Sequence, residues 1–121
     1  MAKKILVIDD VKSELDLISH YLEQAGYVVT GIENGLEVFD KVKADRPDVI
    51  VTDLVMPDIT GLELCRKLKK DPDTADIPVV ACTTKSRNMD KSWAKKQGVV
   101  GYVVKPCTAD QLVEAVRFAI L

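Results

Sequence analysis

The segment VIVTDLVMPDITG, residues 49–61, joins a short run of β-branched residues to a loop that contains proline and glycine. The run VIVT has the composition of a strand that is buried on both faces, and Asp53 follows it directly. A carboxylate at the end of a buried strand is costly unless it caps a turn or belongs to a site. The role of Asp53 therefore depends on which other side chains reach the same edge of the sheet.

Strand-like and helix-like stretches alternate along the chain. Strands are predicted at 4–8, 27–32, 48–53, 77–83 and 101–106. The first helix is predicted by the spacing of Leu15, Ile18 and Leu22, and Gly26 ends it. The last is predicted by a capping box of Thr108 and Gln111, which precedes Leu112, Val116 and Ile120. Three further helices are predicted at 36–43, 61–70 and 87–97.

Five β–α units predict an α/β fold of the flavodoxin-like (βα)5 class. Apolar strands joined by helical crossovers form a parallel sheet with helices on both faces. Five such units suit the strand order 2-1-3-4-5. The length of 121 residues fits one domain, so residues 1–121 are expected to form a single domain with no effector domain.

The composition limits the partners and the compartment. Charged residues make up 30% of the chain, both signs are mixed, and the net charge of −2 argues against nucleic acid as a direct partner. The opening MAKKILVIDD is neither a signal peptide nor a membrane span, so a cytoplasmic protein without membrane contact is expected. Cys65, Cys82 and Cys107 lack the spacing of a zinc site and are predicted to be reduced packing residues.

Polar side chains stand at the predicted carboxyl ends of four strands, where ligands bind in such folds. Asp9 and Asp10 end the first strand, Asp53 ends the third, and Thr83 and Lys105 end the fourth and fifth. Three close carboxylates repel one another and call for a cation, and Mg²⁺ suits oxygen ligands of this kind. Lys105 and Thr83 can bind phosphoryl oxygens, and one aspartate would then be free to act as a nucleophile toward phosphorus.

These residues, in this order and spacing, make the chain resemble the CheY-like receiver domain of two-component response regulators over essentially its whole length. The resemblance rests on the Asp9–Asp10 pair, TDLVMPDITG around Asp53, Thr83 closing IPVVACT, and GYVVKP with Lys105 and Pro106.

The resemblance implies a role for each of these positions. Asp53 would be the phosphoacceptor, and Asp9, Asp10, Asp53 and the backbone carbonyl of Val55 would hold Mg²⁺. Lys105 would contact the phosphoryl group, and its bond to Pro106 would be cis. Thr83 would be the switch hydroxyl and Tyr102 the switch aromatic.

Three positions depart from the family pattern or tune it. Cys107 stands where a bulky apolar residue is more usual, and Val55 offers no polar side chain to guide an attacking water. Lys85 occupies the other position that affects hydrolysis. The lifetime of a phosphorylated state is therefore left open.

Residues 83–98, TTKSRNMDKSWAKKQG, are similar to the fourth-helix region of stand-alone receivers from chemotaxis-like systems that control type IV pili and twitching motility. This likeness implies phosphorylation by a chemotaxis-type histidine kinase or a phosphotransfer domain. The output would be a protein contact through helix 4, strand 5 and helix 5. Trp93 is interpreted as a residue that packs the fourth helix on the sheet, with an anchor for a partner protein as the alternative.

Other functions for the same strand-end pocket stay open. The chain could drain phosphate from another regulator instead of producing an output. It could also be a flavodoxin-like or phosphatase-like enzyme, although the acids of DDVKSE, residues 9–14, disfavour a flavin phosphate, and Val55 stands where such phosphatases place a second acid.

Overall fold

A computed structural model describes residues 2–57 and 59–121. All neighbouring strands of its five-stranded sheet are parallel, and their order is β2-β1-β3-β4-β5, which confirms the predicted topology. The strands are β1 (Lys4–Ile8), β2 (Val28–Ile32), β3 (Val49–Thr52), β4 (Val79–Thr83) and β5 (Val99–Val104).

Within the described residues, five α-helices connect and follow the strands and cover the sheet on both sides. Alternate residues of β1 and β3 face opposite layers: Leu6 and Ile50 contact one apolar cluster, and Val7 and Val51 the other. α2, α3 and α4 pack on the first layer, whereas α1 and α5 pack on the second. The helices are α1 (Lys12–Gln24), α2 (Val38–Asp45), α3 (Gly61–Lys70), α4 (Asn88–Lys96) and α5 (Ala109–Ile120).

The boundaries of several elements differ from the sequence prediction. β5 begins at Val99 and ends at Val104, two residues earlier at each end than expected, and the Lys105–Pro106 peptide that follows is cis, as predicted. Pro106 has no amide hydrogen to continue a strand ladder. The second helix starts as a 3-10 turn over Gly35–Glu37, in which the side chain of Asn34 accepts a hydrogen bond from the amide of Leu36.

The capping box at the start of α5 is confirmed. The Thr108 hydroxyl accepts a hydrogen bond from the Gln111 amide at 3.1 Å, and the Gln111 side chain accepts one from the Thr108 amide at 3.0 Å. Both bonds satisfy amides that the first helical turn leaves unpaired. This reciprocal cap sets where α5 begins after the loop that carries Lys105.

Gly61 allows the start of α3 to lie against the end of β3. A Cβ atom on Gly61 would lie 2.4 Å from the carbonyl oxygen of Asp53 and 2.6 Å from the Cα atom of Leu54. Such distances are too short for any side chain, so this close approach requires glycine. The Thr60 hydroxyl caps the helix by accepting a hydrogen bond from the Glu63 amide.

The prediction that Trp93 packs α4 against the sheet is wrong. Its side chain is 52% exposed, whereas Ala94, the next residue along the helix, is fully buried. A small residue therefore makes the helix-to-sheet contact, and the indole lies on the outer surface. None of the helices in the described part of the chain is long and apolar enough to cross a bilayer.

Candidate functional site

Three carboxylates meet at the carboxyl ends of β1 and β3. Asp9, Asp10 and Asp53 each offer a carboxylate oxygen, and these oxygens lie within 4.8 Å of one another. The backbone that carries them continues the sheet: the Asp9 amide donates to the carbonyl of Ile32 at 3.2 Å, and the Asp53 amide donates to that of Ile8 at 3.1 Å. The parallel register of the central strands therefore brings these acids together.

Lys105 supplies the positive charge that faces these acids. Its Nζ atom lies 2.5 Å from Oδ2 of Asp9 and 3.1 Å from Oδ2 of Asp53, and its side chain is only 8% exposed. The Lys105 amide donates to the carbonyl of Thr83 at 2.8 Å, which fixes the loop after β5 to the end of β4. A long side chain that starts at the edge of the sheet thus ends at its centre.

Local turns orient the carboxyl groups of Asp9 and Asp53 in the same way. Oδ1 of Asp9 accepts a 3.0 Å hydrogen bond from the amide of Val11, and Oδ1 of Asp53 accepts one of the same length from the amide of Val55. In each case the residue two positions later is the donor, as in an Asx turn. Because Oδ1 is used locally, Oδ2 of each acid is directed toward Lys105.

Burial and ion pairing have opposite effects on the pKa values of Asp9 and Lys105. Burial raises the pKa of Asp9 above its usual value, although hydrogen bonds from Lys105 and from the amide of Val11 oppose the shift. Burial alone would lower the pKa of Lys105, but hydrogen bonds to Asp9 and Asp53 reverse that effect and hold its pKa above the usual value. Lys105 is therefore firmly protonated near neutral pH.

The predicted switch residues are connected through the backbone of Lys85. The hydroxyl of the fully buried Thr83 accepts a hydrogen bond from the Lys85 amide at 3.4 Å, and the Tyr102 hydroxyl donates to the Lys85 carbonyl at 2.8 Å. The half-buried ring of Tyr102 packs against the apolar layer under α4. The backbone of Lys85 therefore lies between the Thr83 and Tyr102 hydroxyls and is hydrogen-bonded to both.

The donor set fits a hard divalent cation. Mg²⁺ prefers carboxylate and carbonyl oxygens and keeps several waters, and this site offers three carboxylates of which Asp10 is exposed to solvent. A partly open cluster of this kind leaves coordination positions for water or for a phosphoryl oxygen. The family of receiver domains uses Mg²⁺ at such an acidic pocket.

Two features of the pocket were not predicted from the sequence: the approach of Glu14 and the role of the Lys85 backbone. Oε2 of Glu14, in the first turn of α1, lies 3.8 Å from Nζ of Lys105. Its position just after the acid-bearing loop was the only sequence signal. The bridging role of the Lys85 backbone has no signal in its side chain at all, because only its peptide groups take part.

The cysteines pack as predicted, and two of them are deeply buried. Burial raises the pKa of Cys65 and of Cys82 to about 12 in each case, and neither thiol is expected to ionise near neutral pH. Cys107 is half-buried after the Lys105–Pro106 pair and packs against the layer under α1 and α5.

The parallel five-stranded sheet and its acid cluster with a central lysine are those of a CheY-like receiver module. The sequence profile of the response regulator receiver domain matches residues 5–117, and the chain belongs to this family. Receiver domains are signalling domains and not conventional enzymes.

Relatives and solved structures agree with this family over nearly the whole chain. The chain is 36% identical to Protein PilH of Pseudomonas aeruginosa over 114 residues, and this aligned region covers 94% of each chain. It is 30% identical to the polar-differentiation response regulator DivK of Brucella anthropi, over 97% of this chain and 95% of that protein. Chemotaxis protein CheY4 of Vibrio cholerae has a similar structure, with a TM-score of 0.92, 30% identity, and coverage of 98% of this chain and 99% of that one.

Proposed function

We propose that Asp53 accepts a phosphoryl group from a phosphohistidine donor and that the resulting aspartyl phosphate controls a protein contact. The observation that carries this proposal is the position of Lys105, whose ammonium lies between Asp53 and Asp9 with almost no exposure. Of the three acids, Asp53 is bound to this cation and also follows the central strand β3. It is therefore the carboxylate best placed to attack a phosphorus atom held at the mouth of the pocket.

The transfer needs alignment and charge neutralisation more than a separate base. An oxygen of Asp53 attacks phosphorus, the bond between phosphorus and the donor nitrogen breaks, and the imidazole leaves with its electron pair. Lys105 would then exchange its contact with Asp53 for a phosphoryl oxygen, while Thr83 would donate its hydroxyl to another.

Asp9, Asp10 and Asp53, with the backbone carbonyl of Val55, are proposed to hold Mg²⁺. The bound ion would offset negative charge on the phosphoryl oxygens. The chain itself supplies the carboxylates that keep the ion at the strand ends. In support, the Val55 amide is hydrogen-bonded to Asp53, which places this peptide segment beside the cluster.

The output surface is proposed to consist of α4, β5 and α5. Tyr102 lies on β5, and its hydroxyl is linked through Lys85 to the Thr83 hydroxyl at the end of β4. Attraction of the Thr83 hydroxyl toward a phosphoryl group would change this linkage, and Tyr102 would respond by turning further inward. Coupling of this kind between two sites is typically worth about 1–3 kcal/mol.

We further propose a cytoplasmic pathway of pilus-based motility, with a chemotaxis-type histidine kinase or a phosphotransfer domain as the donor. The similarity to Protein PilH supports this assignment. A role as a phosphate sink for another regulator uses the same chemistry without an output contact. A flavodoxin-like enzyme is disfavoured, because the pocket faces the ligand with carboxylates. A phosphatase-like enzyme is disfavoured because Val55 stands where such phosphatases place a second acid.

The test is phosphorylation of the purified protein with acetyl phosphate, followed by intact mass. We expect one phosphoryl group, its loss when Mg²⁺ is chelated, and its loss in Asp53→Asn. Asp48→Asn, which removes an exposed acid at the opposite end of β3, is the matched control and should behave as wild type. Full phosphorylation of Asp53→Asn would refute the assignment.

Removal of Asp10 tests the metal separately. Asp10→Ala should weaken Mg²⁺ binding measured by calorimetry, because a hydrated ion depends strongly on each carboxylate. Folding should be unaffected or improved, since one member of a repelling cluster is removed. An unchanged affinity for Mg²⁺ would exclude Asp10 from the metal site.

A further inference from the structure

Glu14 is a fourth carboxylate that reaches the site from a different element. It lies in the first turn of α1, and its Oε2 atom is 3.8 Å from Nζ of Lys105. The side chain is 42% exposed, whereas those of Asp9 and Lys105 are 1% and 8% exposed. Glu14 therefore stands at the rim of the pocket, between the buried charges and the solvent from which a donor arrives.

The other charges of this part of α1 do not compensate Glu14. Lys12 pairs with Asp16 at 2.8 Å on the exposed side of the helix. Within residues 2–57 and 59–121, the ion pair with Lys105 is the only one that Glu14 makes. Its charge therefore adds to the charge of the pocket instead of being cancelled locally.

The charge balance shows what this addition does. With Glu14, four carboxylates face one ammonium, and a divalent cation still leaves the pocket with a net negative charge. Without the charge of Glu14, the same pocket would be neutral when it holds the cation. A negative rim favours an incoming cation and opposes an incoming phosphate ester, because Coulomb energies of opposite sign act on the two.

We propose that Glu14 is a positioning residue that sets the reactivity of the acid pocket through its charge, strengthening metal binding and slowing phosphoryl transfer from dianionic donors. It acts in two ways: it attracts the ammonium of Lys105 before the donor binds, and it repels the donor at the rim. This inference rests on the proposed phosphorylation of Asp53.

The inference predicts effects of opposite sign in one variant. Glu14→Gln keeps the shape of the side chain but removes its charge. Its dissociation constant for Mg²⁺ should rise about threefold. Its rate of phosphorylation by acetyl phosphate at saturating Mg²⁺ should also rise about threefold. Both effects are of this size because the variant removes one unit charge that partly solvated space separates from the site. Both changes should shrink at high ionic strength.

A second donor separates charge from shape. Phosphoramidate carries less negative charge than acetyl phosphate near neutral pH. Glu14→Gln should therefore increase the rate of phosphorylation by phosphoramidate less than the rate of phosphorylation by acetyl phosphate. The matched control is Glu23→Gln, which removes an exposed acid from the far end of the same helix. It should leave both the Mg²⁺ affinity and the rates unchanged.

The experiment combines calorimetry with Mg²⁺ alone and phosphorylation rates with both donors for wild type and the two variants. Weaker Mg²⁺ binding together with faster acetyl phosphate transfer in Glu14→Gln supports the inference. The inference is overturned, with the proposed function intact, if Glu14→Gln has the same Mg²⁺ affinity and phosphorylation rate as Glu23→Gln. It is also overturned if only one of these two quantities changes, or if both decrease. A wild-type protein that is not phosphorylated at all overturns the proposed function and this inference together.

Discussion

Replacing Lys105 with methionine would remove the cation from the acid cluster while keeping a side chain of similar length. Lys105→Met leaves Asp9, whose side chain is 1% exposed, and Asp53, whose side chain is 11% exposed, without their shared partner. Breaking a buried ion pair by removing one member typically costs 3–5 kcal/mol. Because Asp10 keeps one side of the cluster open to solvent, we expect a loss of about 3 kcal/mol in the free energy of unfolding.

The pH dependence of this loss has a defined sign. A carboxyl group whose pKa is raised by folding binds more protons in the folded state than in the unfolded state. The free energy of unfolding therefore decreases as the pH rises above the pKa that the group has in the unfolded chain. Burial already raises the pKa of Asp9, and removal of Lys105 takes away the hydrogen bond that opposes that shift. The variant should therefore regain part of its stability as the pH falls toward the unfolded pKa of Asp9, more strongly than wild type.

Urea denaturation at pH 7 and pH 5, with and without Mg²⁺, measures both effects. A ligand that binds only the folded state at one hundred times its dissociation constant adds about 2.7 kcal/mol, so Mg²⁺ should restore much of the lost stability of Lys105→Met. Lys41→Met, an exposed lysine of α2, is the matched control and should change little. A Lys105→Met variant as stable as this control without Mg²⁺ would refute the assigned role of the lysine.

Three further predictions concern the switch, the fold around the site and the thiols. Thr83→Ala should still accept phosphate, yet amide NMR with beryllofluoride, a phosphoryl mimic, should show smaller shifts across α4, β5 and α5 than in wild type; identical shifts would mean that the coupling does not use this hydroxyl. Gly61→Ala should lower the free energy of unfolding by about 2 kcal/mol or more, since its Cβ would meet backbone atoms, and should also slow phosphorylation; a urea midpoint equal to that of wild type would contradict the close contact. In the native protein at pH 8, a thiol reagent should modify Cys107 but not Cys65 or Cys82, whose pKa values burial raises to about 12, and rapid modification of all three would contradict that burial.

The sheet and the composition of the pocket could be predicted because each depends on local residue types. A buried parallel strand reads as an apolar run, and a side chain at its carboxyl end must lie at the ligand-binding edge. Asp9, Asp10 and Asp53 are therefore expected at one edge of the sheet, and their carboxylates meet there. The capping box of Thr108 and Gln111 was also visible, because both members lie in one helical turn.

Other features escaped prediction because they depend on contacts between distant segments. Glu14 looks like any acid in a first helical turn, and only the packing of α1 beside β1 and α5 brings it near Lys105. Trp93 was expected to face the sheet, but the helical phase of α4 is set by Ala94, which fits where an indole would not. The end of β5 was placed too late, because an apolar run does not reveal where pairing with β4 stops.

The measurement that tests the central claim most directly is the location of the phosphoryl group within the chain. The protein is phosphorylated with acetyl phosphate and Mg²⁺, reduced with borohydride to convert aspartyl phosphate to homoserine, digested, and sequenced by mass spectrometry. Homoserine at position 53, and its loss when Mg²⁺ is chelated, is the predicted result. Homoserine at Asp9 or Asp10, with Asp53 unmodified, would contradict the account.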